Sequence, residues 1–300
     1  MAVRIRPARM QDLERADNLV VRSINDLTER HAFGPMAVSR PPDFQTFSLK
    51  DDPDGLWVAE DEKDMLGFAW SWVCDDLWFL AQLFVSPGEQ GGGIGNQLLK
   101  RALEHARSSG ATKKALITFT FNRVSQGLYM RHGLFPRFPV YGFSAPRDTL
   151  KDCKGAQLRF VPLEEGSPHF DSLVQTDLLA LGTSRDKHHR YLLKDGATNG
   201  FSLFSGDDCV GYVYISSEGH IGPLAVRKPD TLGPAFRTAL NLAVDRGSSQ
   251  ISAFLPGSSE AALGIAVEHG MRITFPMLLM STANFGSNWT QYLPRNPGFM

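Results

Sequence analysis

An α/β (α+β) protein of two tandem domains, each a mixed and mostly antiparallel sheet flanked by helices, is what these 300 residues predict. Three observations carry that expectation. The chain is longer than one hydrophobic core usually serves. Short apolar runs bounded by turn residues alternate with apolar stripes of helical period. The second half then replays short motifs of the first half in the same order.

Composition narrows the class. With 42% hydrophobic and 21% charged residues, the chain can offset its ordering entropy by burial, which excludes a wholly disordered protein. Lys and Arg number 31 against 32 Asp and Glu, so no global charge pulls the chain toward nucleic acid or anionic lipid. No stretch is long and apolar enough to span a bilayer, and the start MAVRIRPARM leads into no signal-like run. A cytoplasmic chain with neither a nucleic-acid nor a membrane partner is therefore expected. Cys74, Cys153 and Cys209 are too few and too scattered for a metal cluster, so they read as buried thiols and no metal is expected.

The elements follow in order. Val3 to Arg6 alternates as a short strand, and Asp12 is placed to cap a helix whose apolar positions include Leu13, Ala16, Leu19, Val20 and Ile24. That helix ends before Phe33-Gly34-Pro35. From Leu56, the runs LWVAE, MLGFAWSW and LWFLAQLFV read as consecutive antiparallel strands, with Trp70, Trp72, Trp78 and Phe79 as core and pocket wall. After SPGEQGGGIGN, Leu98, Leu99, Ala102, Leu103 and Ala106 mark a helical stripe that stops at Gly110. KKALITFTF reads as a strand, VSQGLYMRHG as a short helix ended by Gly133, and LFPRFPVYGF as the last strand of the first domain, broken by prolines. The polar stretch 144–155 reads as a linker, giving domains 1–145 and 156–286 and a C-terminal tail 287–300. The repeat pairs Gly67 with Gly211, Leu83-Phe84-Val85 with Leu224-Ala225-Val226, and His132-Gly133 with His269-Gly270. Within the second half, the run Arg185 to Arg190 reads as a solvated face, with a ligand role for His188 or Arg185 as the alternative.

The glycine loop is the chemical signal. Gln90-Gly91-Gly92-Gly93-Ile94-Gly95 lies between strand and helix, so bare main-chain N–H groups can converge on one anion where the helix dipole favours negative charge. A phosphate or pyrophosphate is the natural guest. No Gly-Lys-Ser/Thr follows, and Leu98 stands where a dinucleotide fingerprint starting at Gly93 wants Gly or Ala.

Val85-Ser86-Pro87 followed by Gln90, Gly93 and Gly95, together with Asn122 and the later Leu128-Tyr129-Met130-Arg131-His132-Gly133-Leu134, resembles the GNAT superfamily of acyl-CoA N-acyltransferases. The resemblance implies acetyl-CoA as co-substrate and acetyl transfer to a primary amine by direct attack, the acceptor being a small-molecule or peptide amine. It implies that amides from Gly91 through Gly92, Gly93 and Ile94 to Gly95, with Asn96 at the helix start, hold the pyrophosphate. Phe84 and Val85 would pair with the pantetheine arm, the amide near Leu83 would polarise the thioester carbonyl, Asn122 would contact the cofactor, and Tyr129 would be the general acid. A monomer or a homodimer fits it.

Members of this superfamily often carry an acid on the strand before the Val-x-Pro, where this chain has Gln82. Asp75, Asp76, Glu29 and His31 are candidate bases, and none is singled out. Gln82 also keeps open a non-catalytic acyl-CoA-binding sensor or regulatory module. The second copy's loop, Val226 to Pro234, has one glycine, two prolines and Asp230, and Ala266 and Ser259 stand where the first has Tyr129 and Asn122. It reads as a degenerate copy. Tandem architecture is also similar to mycothiol synthase, which works through its second copy, whereas here the intact loop lies in the first.

Overall fold

Arg6 ties the start of the chain together. Its strand β1 (Arg4–Pro7) pairs antiparallel with β2 (Leu56–Glu60), and its guanidinium reaches Asp12 at 2.6 Å and Glu60 at 2.6 Å. Asp12 stands before α1 (Leu13–Arg30) as expected, but its carboxylate accepts from Arg6 and from the Arg9 N–H instead of from a first-turn amide. Buried Leu13, Ala16, Leu19 and Val20 form the predicted stripe.

The computed structural model describes residues 3–150, 153, 158–164, 166–283 and 288–300. Contacts divide the chain into two units, one of Met1–Leu116, Phe121–Phe135 and Ser281–Ala283, the other of Ile117–Thr120, Pro136–Met280 and Asn284–Met300. The first continues with α2 (Asp43–Asp51), β3 (Met65–Cys74), β4 (Leu77–Val85), α3 (Ile94–Ser108), β5 (Lys113–Phe119, of which the residues up to Leu116 belong to this unit) and α4 (Arg123–Arg131). Its strands lie in the order β1-β2-β3-β4-β5, antiparallel except for the β4–β5 pair. Leu98 and Ile94 of α3 pack on Ala59, Leu66 and Ala69. Each such buried Leu or Ile is worth about 1.5–3 kcal/mol. Trp70, Trp72, Trp78 and Phe79 are all buried, as the core reading requires.

The second unit comprises β6 (Phe135–Pro146), β7 (Arg159–Leu163), α5 (Phe170–Leu181), α6 (Asp186–Lys194), β8 (Thr198–Ser205), β9 (Asp208–Ser216), β10 (His220–Val226), α7 (Leu232–Asp245), β11 (Gln250–Pro256), α8 (Glu260–Glu268), β12 (Arg272–Ser281) and β13 (Tyr292–Leu293). Strand order is β12-β6-β11-β10-β9-β8-β7, with β13 on β10. The repeat is visible in register: Gly67 stands opposite Val85, and Gly211 opposite Val226. Asn122 and Ser259 are the N-caps of α4 and α8, and His132 and His269 are their C-caps.

Three expectations are revised. β6, read as the last strand of the first domain, pairs antiparallel with β11 from Val140↔Pro256 to Pro146↔Gln250. Pro136 and Pro139 precede the registered stretch and Pro146 ends it, so the ladder loses few donors. The run Arg185 to Arg190 is no solvated face, since Arg185, His188 and His189 are buried. The tail is no tail either, because Tyr292, Leu293, Phe299 and Met300 are buried. Cys74 and Cys153 are buried, while Cys209 is only partly so. Of the expected linker, Lys151, Asp152 and 154–155 lie outside the described residues, as does position 287. Among the described residues, no helix is long and apolar enough to cross a membrane.

Candidate functional site

The site starts where β5 leaves β4. Their parallel register runs from Leu77↔Lys113 to Leu80↔Leu116 and, among the described residues, goes no further, although β4 continues to Val85. At the same point the β3–β4 register slips, Trp70 facing Gln82 and Ser71 facing Leu80, so that Ala81 is an extra residue on β4. Such a bulge bends its strand and increases its twist. Ser86 N–H bonds the Leu66 carbonyl at 2.9 Å, which makes Ser86 and, by alternation, Phe84 and Gln82 face β3. Leu83 and Val85 therefore turn their N–H and C=O groups toward the side that β5 has left. Phe84, by contrast, faces β3 with its main chain.

The glycine turn lies next to that edge. Gln90 donates its side-chain amide to the Val85 carbonyl at 3.2 Å, and Ser23 of α1 approaches the same oxygen at 3.4 Å. Gly91 has φ +90° and Gly93 φ +84°, left-handed values that L side chains resist. A Cβ on either would meet nothing within 4 Å, so the turn is exposed. Gly93 is the N-cap of α3, no side chain caps that helix, and no acid lies in its first turn. The N–H groups that open α3 are thus presented to an anion without a competing carboxylate. A Cβ on Gly95 would sit 3.5 Å from Val85 and 3.8 Å from Leu128, so the start of α3 packs between β4 and α4. This is a cradle that a side chain would fill.

Two tethers hold α4 in place. The Asn122 side chain accepts from the Ser125 N–H at 3.2 Å as the helix N-cap, and Asn96 Oδ1 is 2.8 Å from His132 Nε2. The second bond links the start of α3 to the end of α4. Burial first, then the positive charges of Lys100, Arg131 and Arg107, hold the His132 pKa below its ordinary value, so the ring is neutral and donates from Nε2. Tyr129, next to Leu128, is buried. Burial pushes its phenol above the usual 10.0, and a hydrogen bond with Ser125 offsets part of that.

The polar side of β4 faces elsewhere. Leu83 and Val85 join the α3 cluster, so Gln82 and Phe84 point to the opposite face. There Gln82 Oε1 and Trp70 Nε1, on directly opposed residues, are buried with no hydrogen-bond partner among the described residues. Phe44 of α2 meets the Trp70 ring edge-on at 5.0 Å. Of the candidate bases, Asp75 and Asp76 form the turn at the far end of β4, ~20 Å from Leu83 at the rise of an extended strand. Asp76 is also paired with Lys113 at 3.1 Å. Glu29 is exposed. The His31 ring lies tilted against that of Phe121 at 4.8 Å, one residue before Asn122. The sequence offered no signal for the orphaned Trp70–Gln82 pair, which depends on the exact register of β3 on β4, or for the His132 tether, whose partner Asn96 lies 36 residues earlier.

The acetyltransferase (GNAT) family profile matches residues 21–134. A mycothiol acetyltransferase of Streptomyces avermitilis is 32% identical over 84 residues, 27% of this chain and 27% of that protein, so the match spans about a quarter of the relative. The solved GCN5-related N-acetyltransferase of Sphaerobacter thermophilus superposes with a TM-score of 0.69 at 14% identity, over 96% of this chain and 98% of that one. A tandem GNAT protein from the clavulanic acid biosynthesis pathway gives 0.62 at 15% identity, over 93% and 98%. At such identities, these two show a shared fold.

Proposed function

We propose, from the premise that residues 21–134 belong to the acetyltransferase (GNAT) family, that the chain moves an acetyl group from acetyl-CoA to a primary amine by direct attack, using the first unit. The observation that carries this reading is the edge of β4 beyond Ala81, unpaired by β5 and adjoining an exposed, uncapped glycine turn. Acetyl-CoA supplies the activated thioester. Amides from Gly91 to Gly95, with Asn96 beside them, hold its pyrophosphate, and Leu83 and Val85 pair with the extended pantetheine arm as an added strand would. Phe84 supports the arm only through its neighbours, since its main chain faces β3. Asn122 fixes the turn into α4 through its cap and lies beside the cofactor.

The Leu83 N–H, aimed at the thioester oxygen, stabilises the negative charge that attack places there, worth about 3 kcal/mol for one preorganised donor. Tyr129 Oη delivers its proton to the departing sulfur, the new amide nitrogen sheds its extra proton to water, and water returns a proton to the phenolate, whose raised pKa keeps the phenol protonated through the neutral range. Gln82 Oε1 accepts an N–H of the amine and orients it; a neutral amide cannot act as the base. An amine library followed by thiol release from acetyl-CoA tests the assignment, and the absence of release with every amine tested counts against it. The reading of a non-catalytic acyl-CoA sensor draws on Gln82 standing where an acid would serve. It predicts coenzyme binding with no free thiol from any amine.

A further inference from the structure

In the second unit the same opening exists and is filled. β10 pairs parallel with β11 at His220↔Ser252 and Ile221↔Ala253, and its register with β9 slips between Ile221 and Leu224. The Arg227 N–H bonds the Val210 carbonyl at 2.9 Å, so by alternation Val226 and Leu224 face away from β9. They are the counterparts of Val85 and Leu83. Here that edge is taken by β13, with Ala225 opposite Tyr292 and Leu224 opposite Leu293. The Val226 N–H donates to the Gln291 carbonyl at 2.9 Å, and the Gln291 side-chain amide donates back to the Val226 carbonyl at 3.0 Å. Pro294, lacking an N–H, ends the ladder. Gly222 allows the close approach, for a Cβ there would stand 2.6 Å from the Pro294 carbonyl oxygen.

Side chains lock the same segment. Buried Arg185 donates to the Tyr292 hydroxyl at 2.7 Å and to the Met300 carbonyl, while Asp177 meets its charge at 3.0 and 3.1 Å. Arg295 donates to Thr198 Oγ1 at 2.9 Å, and His220 Nε2 donates to the Arg295 carbonyl. Phe299 lies against the His188 ring at 4.8 Å. Main-chain pairing along an open edge, with pockets for alternate side chains, is how sheets recognise extended peptides.

We propose that the second unit is a strand-binding cleft whose ligand class is an extended peptide, and that residues 291–300 are its built-in occupant. The proposal is independent of the chemistry assigned to the first unit. Hydrogen exchange on the full chain tests it. In the wild type, the amides of Leu224 and Val226 exchange slowly. In Leu293→Pro, which removes an N–H from the ladder, their exchange speeds by about tenfold or more, together with that of 288–300, while β4 and α3 keep wild-type rates. A synthetic peptide of residues 288–300 added to that variant restores slow exchange. Fast exchange at Leu224 and Val226 in the wild type overturns the proposal, as does failure of the peptide in a variant with wild-type circular dichroism. Should Leu293→Pro not fold, the milder Gln291→Ala is read instead, with faster exchange at 222–226 and 288–300 expected and no change overturning the assignment.

Discussion

Tyr129 and Gln82 show how burial decides what a side chain can do. A phenol out of water keeps its proton, because the charged form loses hydration that the Ser125 hydrogen bond only partly replaces. Tyr129→Phe is expected to lower kcat by at least about a hundredfold, the usual worth of a general acid, with coenzyme affinity unchanged by calorimetry. An unaltered kcat removes the acid role. Gln82 presents the opposite case, a buried acceptor left without a donor. Gln82→Leu is expected to shift folding stability by less than about 1 kcal/mol, since no bond within the protein is lost, yet to raise the KM for the amine several-fold. Equal KM values in variant and wild type would leave the amine to be held elsewhere. Sequence reading found Tyr129 through its motif and found Gln82 as a missing acid. That the amide is orphaned beside Trp70 follows only from the strand register.

At the scale of elements, the strand–loop–helix passage from β4 to α3 was legible because its signals are local. Glycine spacing, the apolar stripe from Leu98 to Ala106 and the Val-Ser-Pro end of the strand all lie within about thirty residues of one another. Gly93 carries a specific prediction. Its φ of +84° costs an L-residue about 1–2 kcal/mol, and a side chain there occupies the space above the turn. Gly93→Val is expected to weaken coenzyme binding by about tenfold or more in a calorimetric titration, and an unchanged Kd takes the turn out of the site. By contrast, α2 gave no readable pattern, for only Ser48 and Leu49 of its residues are buried. β6 was seen as a strand and counted with the first domain, with no pairing partner named for it. Its alternation fixes two faces and leaves its edge partner open, and β11 comes from a hundred residues further on.

For the molecule as a whole, pH bears on the second unit most. Burial first, and then the charge of Arg295, push His220 down to about 4, with its bond to the Arg295 carbonyl acting the other way. A histidine that binds protons more readily when unfolded contributes fully above its unfolded value of about 6.5. It loses that contribution as pH falls toward 4, by roughly 1–3 kcal/mol. His188, held well below its ordinary value chiefly by burial, works in the same direction. Asp177 follows at lower pH: burial raises its pKa, but Arg185 and His189 outweigh that and hold it low, so its share is lost as pH falls below about 4. Urea midpoints for unfolding are expected to drop from pH 7 to pH 5, and to drop less in His220→Asn; midpoints flat across that range contradict the assignment. The sequence by itself determined the class of the fold, the repeated order of elements and the glycine turn between strand and helix, because periodicity, glycine content and short motifs act over neighbouring residues. Only the tertiary structure decided that the charges of Arg185 and Asp177 are buried, that β6 joins β11, and that the end of the chain lies along β10. Those outcomes depend on which distant strand claims an edge and what packs over a charge, and neither leaves a local trace in the order of residues.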